Sequence, residues 1–469
     1  MDTLNFWDFD SWGTINLVGV VLIALLIANI LKKNIGFIKK SLIPTSVLAG
    51  LMLLTISNAY HTIVGKSLFE TELFSNRGLS GISILEIITY HTLALGFIAQ
   101  ALKKSSNKFT GQRAKDIFNS GVTTVSTYLL QGVFGLGITM LFALIVTDFF
   151  PAAGVLLPFG YGQGSGQALN YGNIYETEYG FVGGKSFGLS IAALGFLSAS
   201  LGGIIYLHIL KRKGRLANID KNASLNANSL EANSEKQMNG TMDRLTVQIA
   251  FVVGIYMLTY AIMYVLGTLL LPSMQSVIYG FNFLFGVIMA SLVKVIINLL
   301  QNKNVIKTRY TNNFLLTRIS NFCFDIMIVT GIAAIELDAL KNYWHILLFL
   351  GVVGLVITFI YNKIVVKALF KDYEDQQFLA MYGMLTGTAS TGIMLLREID
   401  PDYTTPANEN LVFQTLPAIV FGFPMMLLAT LAPKDPSLTL ILLTVFFVVM
   451  NVILFRSFIF RRRKKKTDA

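Results

Sequence analysis

Two glycine-rich stretches interrupt the apolar pattern of this chain, and both carry short amide or hydroxyl side chains. The first runs from Gly160 to Gly172, and a looser version follows about 220 residues later, from Tyr382 to Gly392. Backbone that glycine frees from a helix is tolerated at bilayer depth only where it is buried in protein or lines a wet cavity. Two such stretches in corresponding places indicate the binding site of a transporter, although small residues also line the faces on which membrane helices pack.

The residue types in both stretches suit the coordination of an anion and a hard cation better than acid–base chemistry. Where a half-helix begins, its unpaired N–H groups and positive dipole end attract a carboxylate, and unwound carbonyls and hydroxyls nearby coordinate Na⁺. We therefore expect a Na⁺ site near Ser165 and Thr388. The candidate substrate- and ion-binding residues are Gly162, Gln163, Gly164, Ser165, Gly166, Gln167 and Asn170 in the first stretch, and Thr386, Gly387, Thr388, Ser390 and Thr391 in the second.

Three ionisable residues lie inside other apolar segments, where such side chains are costly and are therefore functional candidates. Glu86 and Asp325 occupy matching segments and are candidates for cation or proton coupling, unless headgroups solvate them near a span end. A short echo relates the two segments, because Ala101-Leu102-Lys103 and Ala339-Leu340-Lys341 follow these acids at nearly equal distances. His91 can titrate near neutral pH, although a hydrogen-bonded structural histidine is the simpler interpretation.

The composition indicates an integral membrane protein. Of the 469 residues, 54% are apolar and only 13% are charged, whereas a soluble domain carries about a quarter charged residues. The net charge of +11 comes from Lys and Arg clusters between apolar runs, which is the positive-inside pattern and not a nucleic-acid interface. The single cysteine, Cys323, excludes an internal disulfide. The predicted spans contain no paired acids, no histidine clusters and no Ser/His arrangement, so the sequence does not predict an enzyme.

Loop charges predict the topology of residues 1–215, the first repeat. Acidic residues precede the first span and lysines follow it, so we expect the N-terminus outside. Residues 151–176 contain the first glycine stretch, and the basic cluster after the last span falls inside only if this segment enters from outside and turns back. Each arm of this re-entrant hairpin would reach roughly half of the ~30 Å hydrocarbon core. The five predicted spans lie at about 12–31, 43–57, 83–102, 117–146 and 185–210.

Residues 244–433 repeat this plan in the opposite orientation, with a hairpin at about 375–400 that enters from inside. Residues 216–243 predict a flexible cytoplasmic linker, and residues 434–469 predict an additional span and a basic cytoplasmic tail. The predicted fold class is therefore an all-α polytopic membrane protein with two inverted repeats of five transmembrane helices, each with a re-entrant hairpin, plus one extra C-terminal helix. The spans after the linker lie at about 245–270, 277–300, 319–339, 343–366, 411–431 and 438–460.

Several motifs resemble those of the bacterial sodium/glutamate symporter family. Gly162–Ala168 resembles the first hairpin motif of that family, which is of the GxGTGxA type. Gly383–Thr391 matches the second hairpin motif only in part, because Gly387–Thr391 stands where the family has a fuller Gly-Ala-Thr-Pro-Thr run. The added last span also departs from the family, which is pictured with ten spans and both termini outside. The other similar stretches are Lys39–Pro44, Val47–Leu51 and Phe187–Lys211.

The resemblance implies Na⁺-coupled uptake of glutamate across the cytoplasmic membrane by alternating access, with the site at the two hairpin tips and a homodimeric assembly. Na⁺ would be the coupling ion, and no other cofactor is implied. The departure in the second motif leaves other small anionic amino or carboxylic acids open as solutes, and H⁺ coupling through Glu86 or Asp325 is open too. An ion channel is the alternative of a different class, but a channel would need a continuous polar lining, and charge within the spans is sparse.

Overall fold

The computed structural model describes residues 7–103, 111–147, 149–215, 242–269, 275–303, 311–400 and 404–459. Regular structure within these ranges is helical, and strand-like pairing is limited to an isolated bridge between Asn76 and Leu79. Residues 216–241 of the predicted linker and the basic tail from residue 460 onwards lie outside the described residues.

Ten helices in the described part of the chain are long and apolar enough to cross a membrane, which confirms a multi-pass, all-α membrane protein. These helices are α1 (Phe9–Asn34), α3 (Thr45–Val64), α4 (Gly81–Leu102), α5 (Gln112–Ala143), α8 (Gly184–Arg212), α9 (Arg244–Leu269), α11 (Asn282–Asn302), α12 (Asn313–Ala333), α13 (Trp344–Leu369) and α18 (Pro436–Leu454). The other helices are α2 (Gly36–Lys40), α6 (Leu156–Gln163), α7 (Ser165–Tyr179), α10 (Gln275–Gly280), α14 (Glu374–Leu385), α15 (Ala389–Arg397), α16 (Ala407–Phe413) and α17 (Thr415–Leu431).

The span predicted at about 411–431 is bent rather than straight. α16 and α17 meet at an angle of 50° and would together form an eleventh crossing. Pro417 lies in the first turn of α17. Because proline has no N–H, it cannot donate the hydrogen bond that would carry α16 straight into α17.

The helix that carries Asp325 also has different ends from those predicted. α12 begins at Asn313, where the side chain of Asn312 accepts from the N–H groups of Phe314 and Leu315 at 2.9 and 3.3 Å. It ends at Ala333, so Ala339–Lys341 falls in and after a separate 3₁₀ turn, whereas Ala101 and Leu102 end the helix α4. The three-residue echo therefore joins unlike structures and does not support the repeat.

The chain divides into two compact units that each draw on both halves of the sequence. The first unit contains Met1–Ile27, Ala49–Lys108 and Asp220–Ala334. The second unit contains Ala28–Leu48, Phe109–Ile219 and Ile335–Ala469. Each unit therefore combines segments from before and after the predicted linker.

The first unit is centred on the packing of α4 against α12. Gly96 of α4 has no side chain to separate the helices, and a Cβ there would lie 2.7 Å from the ring of Phe324. The hydroxyls of Thr89 and Thr330 lie 2.8 Å apart, and Ser320 donates to the carbonyl of Gly96 at 3.0 Å. Small residues and buried hydroxyls hold these helices together, as is typical between membrane helices.

The second unit packs α5, α8 and α13 around the short helices α6, α7, α14 and α15. Phe378, Tyr382 and Leu385 of α14 are fully buried in its core, together with Leu395 and Leu396 of α15. Outward-facing residues of the unit are apolar too, for example Ile441, Val445, Val448 and Val452 along α18, which are 50–59% exposed. An apolar outer face of this kind is expected where a helix meets lipid.

Candidate functional site

The first glycine stretch forms two short helices that are joined at a single glycine. α6 ends at Gln163 and α7 begins at Ser165, and Gly164 between them has a φ of 82° and a ψ of −175°. A side chain at this φ would be strained, so the position favours glycine. The helix therefore breaks inside the stretch, where the glycine content predicts it.

Aromatic contacts show that the chain turns back at Gly164. Phe150, before α6, stacks on Phe181, after α7, with ring centroids 4.7 Å apart. Closer to the break, Phe159 of α6 stacks on Tyr171 of α7 with centroids 4.0 Å apart. Each pair joins residues on opposite sides of the break, so α6 and α7 run antiparallel.

The second glycine stretch also turns back, but by a different local geometry. Thr388, between α14 and α15, is extended with a φ of −139° and a ψ of 170°, so no left-handed glycine is involved. Here glycine allows close backbone contact. A Cβ at Gly383 would lie 2.8 Å from the Cα of Gly392, and a Cβ at Gly392 would lie 2.3 Å from the carbonyl oxygen of Ala380.

Two side chains of α5 hydrogen-bond the ends of the first arms of both segments. The hydroxyl of Tyr128 donates to the carbonyl oxygen of Gly162, near the end of α6, at 2.7 Å. The amide of Gln131 donates to the carbonyl oxygen of Leu385, the last residue of α14, at 3.0 Å. Tyr128 and Gln131 lie one helical turn apart near the middle of α5, so both first arms end at the same level.

Gly195 of α8 lies against both segments at once. A Cβ at Gly195 would lie 2.7 Å from the carbonyl oxygen of Thr386 and 3.1 Å from the ring of Tyr161. Earlier in α8, Gly188 contacts Ala168 of the first segment, and later in α8, Gly202 contacts Tyr382 of the second. The segments therefore lie along opposite ends of α8, and their breaks meet near its middle.

The meeting point places four helix ends of opposite polarity in one buried region. α6 and α14 end there, and α7 and α15 begin there. Neither Gly164 nor Thr388 caps the first N–H groups of the helix that follows with its side chain. Helix N-termini attract anions, and carbonyl groups at helix C-termini coordinate cations. The arrangement can therefore hold an anion and a cation side by side with neutral groups.

Two buried amides at this place have polar atoms with no partner in the described part of the protein. The side chain of Gln167, in the first turn of α7, is fully buried, and neither its nitrogen nor its oxygen is hydrogen-bonded. Gln131 donates to Thr358 at 2.8 Å as well as to Leu385, but its side-chain oxygen has no donor. A buried polar atom without a partner costs free energy, so it needs an explanation, and ligand binding is one.

The other predicted binding residues lie at or next to the breaks. Ser165 is fully buried, and Asn170 is buried about one turn into α7. Thr386 is buried and donates to the carbonyl oxygen of Tyr382 at 2.7 Å, while the hydroxyls of Thr388 and Thr391 lie 3.4 Å apart. The remaining predicted residues are Gly162, Gln163 and Gly166 at the first break and Gly387 and Ser390 at the second.

The sequence interpretation missed the polar face of α5 that contacts the second segment and the junction of α16 and α17. Asp116 accepts a hydrogen bond from the hydroxyl of Tyr373 at 2.7 Å, and Ser120 accepts one from Gln377 at 3.0 Å. Thr124 donates to Gln414 at 2.5 Å. The signal was present as polar residues spaced four apart, but the predicted span began at residue 117 and so left Asp116 in a loop.

The three proposed coupling residues belong to the first unit, whereas both breaks belong to the second. Glu86 is half-buried on α4, and Asp325 is exposed on α12. His91 is exposed, and its Nδ1 lies 2.7 Å from the hydroxyl of Tyr256, a contact that fits a structural histidine. Within the described ranges, no three His, Cys, Asp or Glu side chains form a metal-binding cluster.

Comparison with known proteins leaves the geometry as the main support for a functional conclusion. No protein-family model matches this chain, and no curated protein matches it.

Proposed function

We propose that this protein is a secondary active transporter with its binding site where the two helix breaks meet. The observation that carries the proposal is the convergence of both breaks on the middle of α5 and α8, at Tyr128, Gln131 and Gly195. Discontinuous helices that meet near the midplane of a membrane are the usual site of substrate and ion binding in transporters.

The positions of the two segments along α5 support re-entrant hairpins of opposite orientation. The first segment contacts the later half of α5, where Thr139 donates to the carbonyl oxygen of Pro151 at 2.6 Å. The second contacts the earlier half, where Asp116 meets Tyr373. Because α5 is long enough to span the bilayer, segments that enter from its two ends and stop at its middle would enter from opposite sides. This is the geometry expected of inverted repeats.

Glutamate and Na⁺ are the solutes that we propose. The choice rests on the resemblance of Gly162–Ala168 to the sodium/glutamate symporter family and on the neutral donors and carbonyl groups at the breaks. The N–H groups at the starts of α7 and α15 would bind a carboxylate, and hydroxyl and carbonyl oxygens near Ser165 and Thr388 would bind Na⁺. Another small anionic amino or carboxylic acid would use the same groups, whereas coupling to H⁺ would use Glu86 or Asp325.

The cellular setting follows from the same proposal. We place the protein in the cytoplasmic membrane as a homodimer, with the N-terminus outside and the C-terminus inside. It acts as a transporter and not as an enzyme.

Uptake of radiolabelled glutamate into proteoliposomes tests the function. With an inward Na⁺ gradient, we expect saturable accumulation that disappears when K⁺ replaces Na⁺. Ser165→Ala and Thr388→Ala should each weaken the apparent affinity for glutamate or Na⁺ without lowering the yield of folded protein. Thr444→Ala is the matched control, because Thr444 is an exposed residue of α18 whose hydroxyl bonds only its own helix, at Leu440.

Each alternative has its own outcome in this assay. If uptake depends on a pH gradient and not on Na⁺, the coupling ion is H⁺ and not Na⁺. Uptake of another labelled small carboxylic acid, without uptake of glutamate, would change the solute. Flux that neither saturates nor accumulates against a gradient would indicate a channel and contradict the proposal.

A further inference from the structure

The C-terminal helix α18, which is additional to the two predicted repeats, packs along the face of α5. Leu443 is fully buried, and one of its methyl groups lies 3.5 Å from the position that a Cβ would take at Gly132 of α5. Beyond the end of α18, the guanidinium of Arg456 lies 4.9 Å from the ring centroid of Phe118 and donates to the side-chain oxygen of Asn119 at 3.2 Å. α18 therefore runs antiparallel to α5 from Gly132 back to Phe118.

The part of α5 that α18 covers is the part that contacts both helix breaks. Tyr128 and Gln131, the donors to Gly162 and Leu385, lie within this stretch. α18 therefore packs on the stretch of α5 that carries both donors, within a helix that is continuous between Gln112 and Ala143.

A second connection runs from α18 to the second break through α13. The hydroxyl of Tyr361 on α13 donates to the side-chain oxygen of Asn451 on α18 at 2.8 Å. About one turn earlier on α13, Thr358 accepts from the amide of Gln131, which also donates to Leu385. The connection therefore extends from Asn451 to the carbonyl group that ends α14.

One polar side chain of α18, that of Asn451, lies where it fixes the register of the helix. Its outward face is apolar, with Ile441, Val445, Val448 and Val452 exposed, whereas Asn451 points to α13. Polar side chains between apolar helices hold one relative position, because any shift leaves a polar group unpaired in an apolar environment.

We propose that α18 is a positioning element of the binding site. Asn451 and Arg456 hold α13 and α5 in the register that keeps Gln131 on the carbonyl oxygen of Leu385, and so determine the geometry of the second break. Both are positioning residues that do not touch the solute. The expected effect on transport kinetics rests on the proposed transport function, whereas the expected effect on the geometry of the second break does not.

Cysteine labelling at the two breaks tests the structural consequence directly. The full-length protein carries Cys323→Ala, which removes its single cysteine, and either Thr388→Cys at the second break or Gln163→Cys at the first. We expect Asn451→Leu to raise the maleimide labelling rate at position 388 about threefold, the factor that corresponds to ~0.6 kcal/mol for an average interhelical hydrogen bond. Labelling at position 163 should keep its rate, since the first break is bonded through Tyr128.

Tyr361→Phe removes the same hydrogen bond from the other side with a smaller change in shape. We expect it to raise labelling at position 388 by a similar factor, and the double variant with Asn451→Leu to add nothing further. This variant also keeps the test valid if Asn451→Leu folds poorly. Val448→Ala, on the exposed face of α18, is the matched control and should leave both rates unchanged.

The kinetic arm uses the same variants without the cysteine probes. We expect Asn451→Leu and Tyr361→Phe to raise the KM for glutamate about threefold while kcat is kept. An unchanged labelling rate at position 388 would overturn the proposal. An equal rise of the labelling rates at positions 163 and 388 would overturn it too, because it would indicate that the whole unit is loosened. A wild-type protein that does not transport glutamate would remove the proposed function, but the labelling result would still decide the role of α18.

Discussion

Gln167 and Gln131 are both fully buried amides at the meeting point of the helix breaks, but they differ in the hydrogen bonds that their side chains make. Gln131 donates two hydrogen bonds, to Thr358 and Leu385. Gln167 makes no hydrogen bond to any described residue. A buried polar side chain without a partner lowers the stability of the folded protein by ~1–3 kcal/mol. A residue that costs stability and contacts the candidate site is expected to have a role in binding.

Replacing each glutamine with leucine should therefore have opposite effects on stability. We expect Gln167→Leu to keep or raise the unfolding temperature in detergent, because it removes unpaired polar atoms, and to abolish glutamate uptake. Gln131→Leu should lower stability by ~1–3 kcal/mol, because it leaves the carbonyl group of Leu385 without its donor. Thermal unfolding and proteoliposome uptake measure the two effects. A Gln167→Leu protein that is destabilised but transports normally would show that the amide has a structural role only.

At the scale of elements, the glycine residues of α8 determine how closely the helix segments approach it. Gly188 contacts the first segment, Gly202 contacts the second, and Gly195 contacts both. Each close approach leaves no room for a methyl group. The geometry of the breaks therefore depends on how closely these segments approach the continuous helix α8.

Gly195→Ala should disturb both breaks at once. The new Cβ would lie 2.7 Å from the carbonyl oxygen of Thr386, so the backbone must shift, and overpacking of this kind costs ~1–3 kcal/mol. We expect this variant to lose most of its glutamate uptake and to unfold at a lower temperature. Gly137→Ala on α5 is the matched control, because no described atom outside the backbone of α5 lies within 4 Å of the added carbon, and alanine should raise stability by ~0.5–1 kcal/mol. Equal behaviour of the two variants would contradict close packing at Gly195.

At the scale of the whole molecule, the two compact units each combine parts of both sequence halves. The second unit holds both broken segments together with α5, α8 and α13, whereas Glu86, His91 and Asp325 belong to the first. The groups that contact the breaks within the second unit are neutral amides, hydroxyls and carbonyl groups. The proposed Na⁺ site would therefore be formed by neutral groups of the second unit.

The proposed inverted topology can be tested by cysteine labelling from the two sides of the membrane. In the Cys323→Ala background, Val182→Cys lies in the exposed turn after α7, and Asp372→Cys lies in the exposed 3₁₀ turn before α14. We expect a membrane-impermeant maleimide to label position 182 in intact spheroplasts and position 372 only after permeabilisation. Labelling of both positions from the same side would exclude hairpins that enter from opposite faces.

Much of the element structure could be predicted, because it depends on local properties of the chain. Long apolar runs predict the spans, and the glycine content predicts both helix breaks. Helix ends were less predictable, as α12 and the bend before α17 show, because they depend on caps and on one proline. Asp116 was missed for the same reason, since α5 begins at Gln112, several residues before its apolar run.

The sequence by itself determined that this is a multi-pass helical membrane protein with two helix breaks, since apolar run length and the conformational freedom of glycine act over a few residues. Only the tertiary structure decided which atoms meet at those breaks. Tyr128 and Gln131 reach Gly162 and Leu385 because of the register in which α5 packs against helices distant in sequence. That register is the sum of many weak contacts, such as the approach of Gly195 to Thr386, and no local pattern encodes it. The same dependence on packing left the buried amide of Gln167, at the centre of the candidate site, without a hydrogen-bond partner among the described residues.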